Sequence, residues 1–293
     1  MNQITTERPA WREALKSESP LLLPSAHDAL TARIIERSGF TAYQTGGFAM
    51  VGSMHAVPDI DLEHYGEKRD RVEEIITASK LPMLVDGDDG YGDAKNVTRT
   101  VQGYELIGAS AIFIEDQTSP KRCGHMAGKS VIPAEAMVEK VAAAVAAKKD
   151  KDFFILARTD ALQPEGVDAA IERGRRYLEA GADGVYVEGP RNEEELRIVG
   201  EAFRNVPLAT SLLERGGVTP WLPPERFGEL GYDMVLYPAS ILFRVTRAIE
   251  RAAADIRAGR PLDPNESVDM EQFEDVVDMA HWKDIEKRFG SGK

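Results

Sequence analysis

Eight times along this chain a short apolar run is followed by a stretch patterned for a helix, and that rhythm leaves few architectures open. The predicted strands cover 21–23, 41–45, 82–85, 111–114, 153–157, 184–187, 208–213 and 234–237. Predicted helices follow them over 28–39, 62–80, 95–108, 134–149, 167–180, 193–203, 223–230 and 239–258. Parallel strands that each need a crossover helix are satisfied by closing into a ring, so the expected fold is a (β/α)8 TIM-type barrel with extra C-terminal helices. Residues 1–259 read as the barrel, with a helical lead around Trp11 to Leu15, and residues 260–293 as a tail that begins with the linker Arg260-Pro261-Leu262-Asp263-Pro264. Between 267 and 289 the tail carries Met270, Phe273, Val276, Val277, Met279 and Trp282 on one helical face. A barrel that already has eight helices offers that face no place, so it is expected to pack on a neighbouring subunit.

Composition narrows the class of partner. A formal net charge of −13 argues against nucleic acid or an anionic membrane. A single cysteine excludes an internal disulfide and a cysteine zinc cluster. No apolar run approaches membrane-spanning length and the N-terminus lacks an apolar signal segment, so a soluble cytoplasmic protein is expected.

The polar residues fall where this fold keeps its chemistry. Asp86 and Asp88 follow the third strand, Glu115 ends the fourth, Arg158 the fifth and Glu188 the sixth, and Glu214 follows the seventh. These positions share the C-terminal mouth of a barrel. Carboxylates gathered at one mouth repel unless a cation joins them. Asp86 and Asp88 in a glycine-rich turn, with Asp59 and Glu115 completing an oxygen-only shell, point to Mg²⁺, with Mn²⁺ as an alternative. The five histidines form no short zinc-ligand pair, but His125 is a catalytic candidate. A metal plus Arg158 suits an α-keto or α-hydroxy acid. Thr45-Gly46-Gly47 offers backbone N–H groups to the same carboxylate or forms a plain turn, and Tyr43 is either a barrel filler or a hydroxyl aimed at substrate.

The stretch from Pro120 to Lys129 sets Cys123 among Lys121, Arg122, His125 and Lys129. Flanking cations bias a thiol toward thiolate, which would make Cys123 a proton donor or acceptor near neutral pH. Glycines at 124 and 128 allow the loop to act as a gate over substrate.

Tyr43 to Gly47, Pro58-Asp59, Val85 to Gly92, Glu115-Asp116-Gln117, Lys121 to His125, Ala157 to Ala161, Glu188 and Glu214 to Pro220 together resemble the isocitrate lyase and phosphoenolpyruvate mutase superfamily. The resemblance implies Mg²⁺ on Asp86 and Asp88, reached by Asp59 and Glu115 largely through water. It further implies a gating loop over 120–130 with Cys123 as the catalytic acid, and a homotetramer that exchanges its last helix. The implied reaction cleaves the C2–C3 bond of a 2-hydroxy di- or tricarboxylate, giving a 2-oxo acid and a succinate-like acid. Tyr43 or a water would take the hydroxyl proton, Lys121 and His125 would assist Cys123, and Glu188 would orient the hydroxyl. Thr45, Gly46, Gly47, Asp86, Gly124, Arg158, Glu188, Ser211 and Pro238 would line the substrate. The pattern is nearest to 2-methylisocitrate lyases, 2,3-dimethylmalate lyases and carboxyphosphonoenolpyruvate phosphonomutases. Ser211 replaces a usual asparagine and Phe243 stands near a usual arginine of methylisocitrate lyases, which favours a smaller dicarboxylate. The run Gly217 to Leu222 keeps the phosphonomutase as an alternative, and Pro238 weakens an oxaloacetate hydrolase or decarboxylase reading.

Overall fold

The structure, a computed structural model, describes residues 8–261 and 263–290. Contacts divide the chain into two compact units, Met1–Ile241 and Leu242–Lys293. In the first, eight parallel strands run β1 (Leu21–Pro24), β2 (Tyr43–Thr45), β3 (Met83–Asp86), β4 (Ala111–Glu115), β5 (Phe154–Thr159), β6 (Gly184–Val187), β7 (Leu208–Ser211) and β8 (Met234–Tyr237). Each pairs with its sequence neighbour and β1 pairs with β8, while β1 and β2 meet through the single bridge Ser25–Gln44. The ring is therefore nearly closed, a (β/α)8 barrel as the alternation predicts.

The helices are α1 (Trp11–Ser17), α2 (Ala29–Arg37), α3 (Gly47–His55), α4 (Tyr65–Thr77), α5 (Ala94–Leu106), α6 (Ala134–Ala147), α7 (Leu162–Glu165), α8 (Val167–Glu179), α9 (Glu193–Ala202), α10 (Pro224–Glu229), α11 (Ser240–Arg257), α12 (Met270–Val276) and α13 (Met279–Phe289). Local chemistry sets several starts. Asp28, Asp93 and Asn192 cap α2, α5 and α9 by accepting from the N–H of Thr31, Lys95 and Glu195. The segment expected to be a long link after β2 contains α3, whose start the pattern of small residues had masked.

Strand periodicity sorts side chains into two sets. Leu21, Leu23, Leu84, Ala111, Phe113, Phe154, Leu156, Tyr186, Ala209, Met234 and Leu236 pack together inside the barrel, with Trp11 and Ala14 of α1 in the same cluster. The alternate residues, among them Tyr43, Val85, Ile112, Ile114, Ile155 and Ala157, pack with residues of the surrounding helices. Val185, Val187, Leu208 and Val235 do the same on the other half of the ring.

The division between units falls within the first turn of α11. In the second unit the tail, expected to be helical with one apolar face, forms two helices. Asp278 takes a left-handed backbone (φ 58°) between α12 and α13, and Asp269 with Gln272 caps α12 reciprocally. Ile256 and Trp282 are 74% and 61% exposed, and Ile249, Met270 and Phe289 are exposed as well. Among the described residues no helix is long and apolar enough to cross a membrane.

Candidate active site

Continuing the inward set by two residues along each strand gives a layer of functional groups at one end of the barrel. From Leu84 the next inward position is Asp86, from Phe113 it is Glu115, from Leu156 it is Arg158, and from Tyr186 it is Glu188. Ala209 leads likewise to Ser211, Leu236 to Pro238, and Ala42 to Gln44. All seven line one cavity, together with Phe48, Lys121, Cys123, Gly124 and His125. Gly46, Gly47 and Asp59 line it too, so most of the expected residues come together.

Asp88 does not line it but is tied to the lining residue Lys121 at 2.7 Å. Tyr43 and Thr45 do not line it either. Both are fully buried but lie on the outward parity of β2, and neither lines the cavity. Tyr43 packs in the helix-facing core, where burial, opposed by Arg8 and aided by Glu36, holds its hydroxyl far above the ordinary phenol range. The hydroxyl expected as a base is therefore remote from the cavity, and the phenol that reaches it is Tyr186.

Arg158 is the hub of the layer. Its Nε and Nη2 donate to the two carboxylate oxygens of Asp160 at 2.9 and 3.1 Å, its Nη1 lies 3.3 Å from Glu115 and its Nη2 3.9 Å from Glu188. The guanidinium also lies over the rings of Tyr186 and Phe113, with centroids at 5.1 and 5.7 Å. Burial opposes its charge, but Asp160, Glu115 and Glu188 outweigh that and keep it protonated. Burial would raise the Glu188 carboxyl, yet Arg158, His125 and Lys129 hold it below the usual range. Glu188 accepts from the Tyr186 hydroxyl and from Ser211 Oγ at 3.1 Å, and Ser211 also meets His125 Nε2 at 3.2 Å. Burial lowers the His125 pKa, so this imidazole is neutral at pH 7.

The carboxylates already have cations. Lys121 Nζ bridges Asp59 at 2.6 Å and Asp88 at 2.7 Å, and Lys68 from α4 pairs with the other oxygen of Asp88. Asp86 accepts from the Gly47 N–H at 2.8 Å and from the Asp88 N–H at 2.9 Å. Charge balance alone thus has a solution in buried lysines, and Lys68 was not foreseen because it lies in the first turn of α4 and not at a strand end. Among the described residues no three His, Cys, Asp or Glu side chains form a ready coordination shell. The donor set nevertheless fits a hard dication: all its atoms are oxygens, and Glu115 Oε1 is buried without a hydrogen-bond partner. A side chain at Gly47 would place its Cβ 3.0 Å from Lys68 Nζ, 3.2 Å from Asp86 and 3.4 Å from Asp88, so glycine keeps that corner uncrowded.

The loop after β4 covers this layer. Gln117 pins it by exchanging hydrogen bonds with the backbone of Arg122 at 2.8 and 2.9 Å, and Asp61 accepts from Ser119 Oγ at 2.7 Å. Gly124 lies against Arg158 and Glu188, so close that a Cβ there would sit 2.4 Å from Arg158 Nη2 and 2.7 Å from Glu188 Cδ. Cys123 is half-buried, and burial, then Asp59, pushes its thiol up to about 12. This corrects the expected thiolate bias. Lys121 and Lys129, counted as cations for the thiol, are buried and spent on Asp59, Asp88 and Asp160. What results is a neutral S–H above the cavity, a proton donor rather than a base.

Against known proteins, residues 12–257 match the family described as phosphoenolpyruvate phosphomutase. The chain belongs to the isocitrate lyase and phosphoenolpyruvate mutase superfamily. It is 36% identical to the 2,3-dimethylmalate lyase of Eubacterium barkeri, over 96% of this chain and 98% of that one. It is 39% identical to a probable 2-methylisocitrate lyase of Corynebacterium glutamicum over 87% and 83% of the two chains. Among solved structures, an oxaloacetate acetylhydrolase bound to 3,3-difluorooxalacetate superposes with a TM-score of 0.90 at 29% identity, covering 97% of each chain. A phosphonopyruvate hydrolase complexed with oxalate and Mg²⁺ gives 0.84 at 28% identity, covering 96% of this chain and 98% of that one. Members of this superfamily are lyases and mutases of small acids, and this chain is a superfamily enzyme of the carbon–carbon lyase type.

Proposed function

We propose that this superfamily enzyme cleaves the C2–C3 bond of an alkyl-substituted malate of the 2,3-dimethylmalate type, releasing pyruvate or another 2-oxo acid and propionate or a related saturated monocarboxylate. The observation that carries the reading is a protonated, half-buried thiol held over a cavity whose floor presents Arg158 and an ionised Glu188. A carbon acid needs that donor, and a 2-hydroxy acid needs that floor.

Each residue has a step. Arg158 pairs the C1 carboxylate and the oxygen on which charge develops. Glu188, oriented by Tyr186 and Ser211, accepts the proton of the C2 hydroxyl as its O–H electrons become the new carbonyl bond. The C2–C3 electron pair moves to C3, where the neighbouring carboxylate delocalises it, and the Cys123 S–H protonates that carbon. Lys121 and His125 hold the loop that carries the thiol, and Gly124 lets it descend onto Arg158. The thiolate then recovers a proton from solvent while Glu188 gives one up, so no water is consumed. A magnesium ion held by Asp86 and Asp88, with Asp59 and Glu115 beside it, would polarise the C1 and C2 oxygens. Mn²⁺ offers the same chemistry.

Phe48, Leu213, Leu236, Pro238 and Ala239 give the lining an apolar wall, with Arg122 and Gln44 as further polar lining residues. Ser211 is engaged by Glu188 and His125, leaving no added cation there for a third carboxylate. A small alkyl group fits that wall better than a charged arm. The phosphonomutase remains the second reading, favoured by the Gly217 to Leu222 run. A cytoplasmic homotetramer belongs to this reading, and the exposed apolar side chains of the second unit suit coverage by a neighbouring subunit. Cys123→Ser decides the central step: turnover should nearly vanish while Mg²⁺-dependent product binding persists, and undiminished turnover would dismiss this mechanism.

A further inference from the structure

Two buried charges at the site have no part in the steps above. Lys129, at the far end of the gating loop, has a side chain only 2% exposed, and its Nζ donates to the Gly124 carbonyl at 2.5 Å and to Asp160 Oδ1 at 2.7 Å. Asp160 is fully buried just beyond β5 and binds Arg158 through both carboxylate oxygens. One carboxylate therefore holds a cation from the barrel floor and a cation from the loop. Asp160 is itself fixed from below. Its N–H donates to Asp116 at 2.8 Å, and Asp116 also accepts from Thr159 Oγ1 at 2.8 Å and Tyr177 Oη at 2.7 Å.

The consequence lies in what the ammonium needs. A buried lysine must fill its donors or the burial is unfavourable. With the loop lying down on Arg158, the Gly124 carbonyl, one residue from the thiol, is within its reach. We infer that Lys129 and Asp160 are positioning residues that latch the loop shut and couple the seating of Cys123 to the orientation of Arg158. Asp160 sets the guanidinium, Lys129 transfers that reference to the loop, and opening the gate breaks the Lys129–Gly124 hydrogen bond.

The inference rests on the reading of Cys123 as proton donor for its kinetic arm only, since thiol accessibility needs no substrate. The test measures alkylation of Cys123, the sole cysteine, by iodoacetamide in wild type, Lys129→Met and Lys129→Arg, alongside kcat and KM on whichever acid the wild type cleaves. Alkylation of Lys129→Met is expected to accelerate about tenfold or more, with kcat reduced by a similar factor and KM changed far less, because the lost contact seats the donor rather than the substrate. Lys129→Arg, which keeps the charge and a donor, should recover part of both. An alkylation rate within twofold of wild type in both variants would overturn the latch. Faster alkylation with unchanged kcat would overturn its coupling to the thiol. If Lys129→Met fails to fold, Lys129→Ala, which also removes the ammonium, carries the same comparison: a loop that opens and a kcat that falls together support the inference, and wild-type values of both refute it. If no acid on the panel is cleaved, the lyase reading fails by itself and the alkylation arm still decides the latch.

Discussion

Replacing Gly124 with alanine adds one methyl at the point where the loop meets the barrel floor. The new Cβ would lie 2.4 Å from Arg158 Nη2 and 2.7 Å from Glu188 Cδ, about 1 Å short of ordinary contact. Neither neighbour can yield freely, since Arg158 is clamped by Asp160 and Glu188 is held by Tyr186 and Ser211. The loop must therefore stand off by about that distance and carry the Cys123 thiol with it. A misplacement of roughly 1 Å in a positioned reacting group costs about 10²-fold in rate, or about 2.7 kcal/mol in barrel-mouth transition-state stabilisation. Steady-state kinetics on the cleaved acid should show that loss in kcat/KM, with the melting temperature close to wild type because the cavity floor and core are untouched. Alkylation of Cys123 should speed up in the same variant. Activity within threefold of wild type, with unaltered alkylation, would refute the closed-loop geometry on which the reasoning depends.

The thiol itself makes a pH prediction. Its value of about 12 against an ordinary 9.0 means roughly a thousandfold less thiolate at pH 8 in the closed state. Because the shift is upward, the closed loop is favoured below pH 9 and loses ground as pH rises above it, so alkylation should keep climbing past pH 10, and a plateau near pH 9 would contradict it. Tyr43→Phe should leave kcat within about twofold, whereas Tyr186→Phe, which frees one contact to Glu188, should lower it about tenfold or more; the reverse order would mean the strand parity is wrong. Trp11→Ala removes a fully buried indole from the cluster that fills the barrel and should cost about 3–5 kcal/mol in urea unfolding with little change in KM, and a loss under 1 kcal/mol would refute its place in that core.

The barrel was legible because eight apolar runs and their helices repeat a pattern that local physics reads directly. The acidic ends of β3, β4 and β6 and Arg158 were legible for the same reason, as breaks of polarity at the ends of apolar strands. Gln44, Tyr186 and the remoteness of Tyr43 were also available, since counting by twos forward from Ala42 and back from Glu188 assigns each a face, but that count requires knowing which face is inward. Lys68, Lys129 and Asp160 could not be read that way. Their roles come from side chains meeting across elements far apart in sequence, as with Lys68 on Asp88 and Lys129 on Asp160. The thiolate expectation for Cys123 failed for a related reason: sequence proximity counts charges without showing which of them are already paired.

The most direct test of the central claim is keto-acid release by the purified protein with Mg²⁺ from 2,3-dimethylmalate, 2-methylisocitrate, isocitrate, citramalate and oxaloacetate, each with an EDTA control. The account predicts chelator-sensitive release of pyruvate or another 2-oxo acid from an alkyl-substituted malate, ahead of the tricarboxylates. Turnover of oxaloacetate alone, or silence across the hydroxy acids with phosphonate substrates converted, would contradict it.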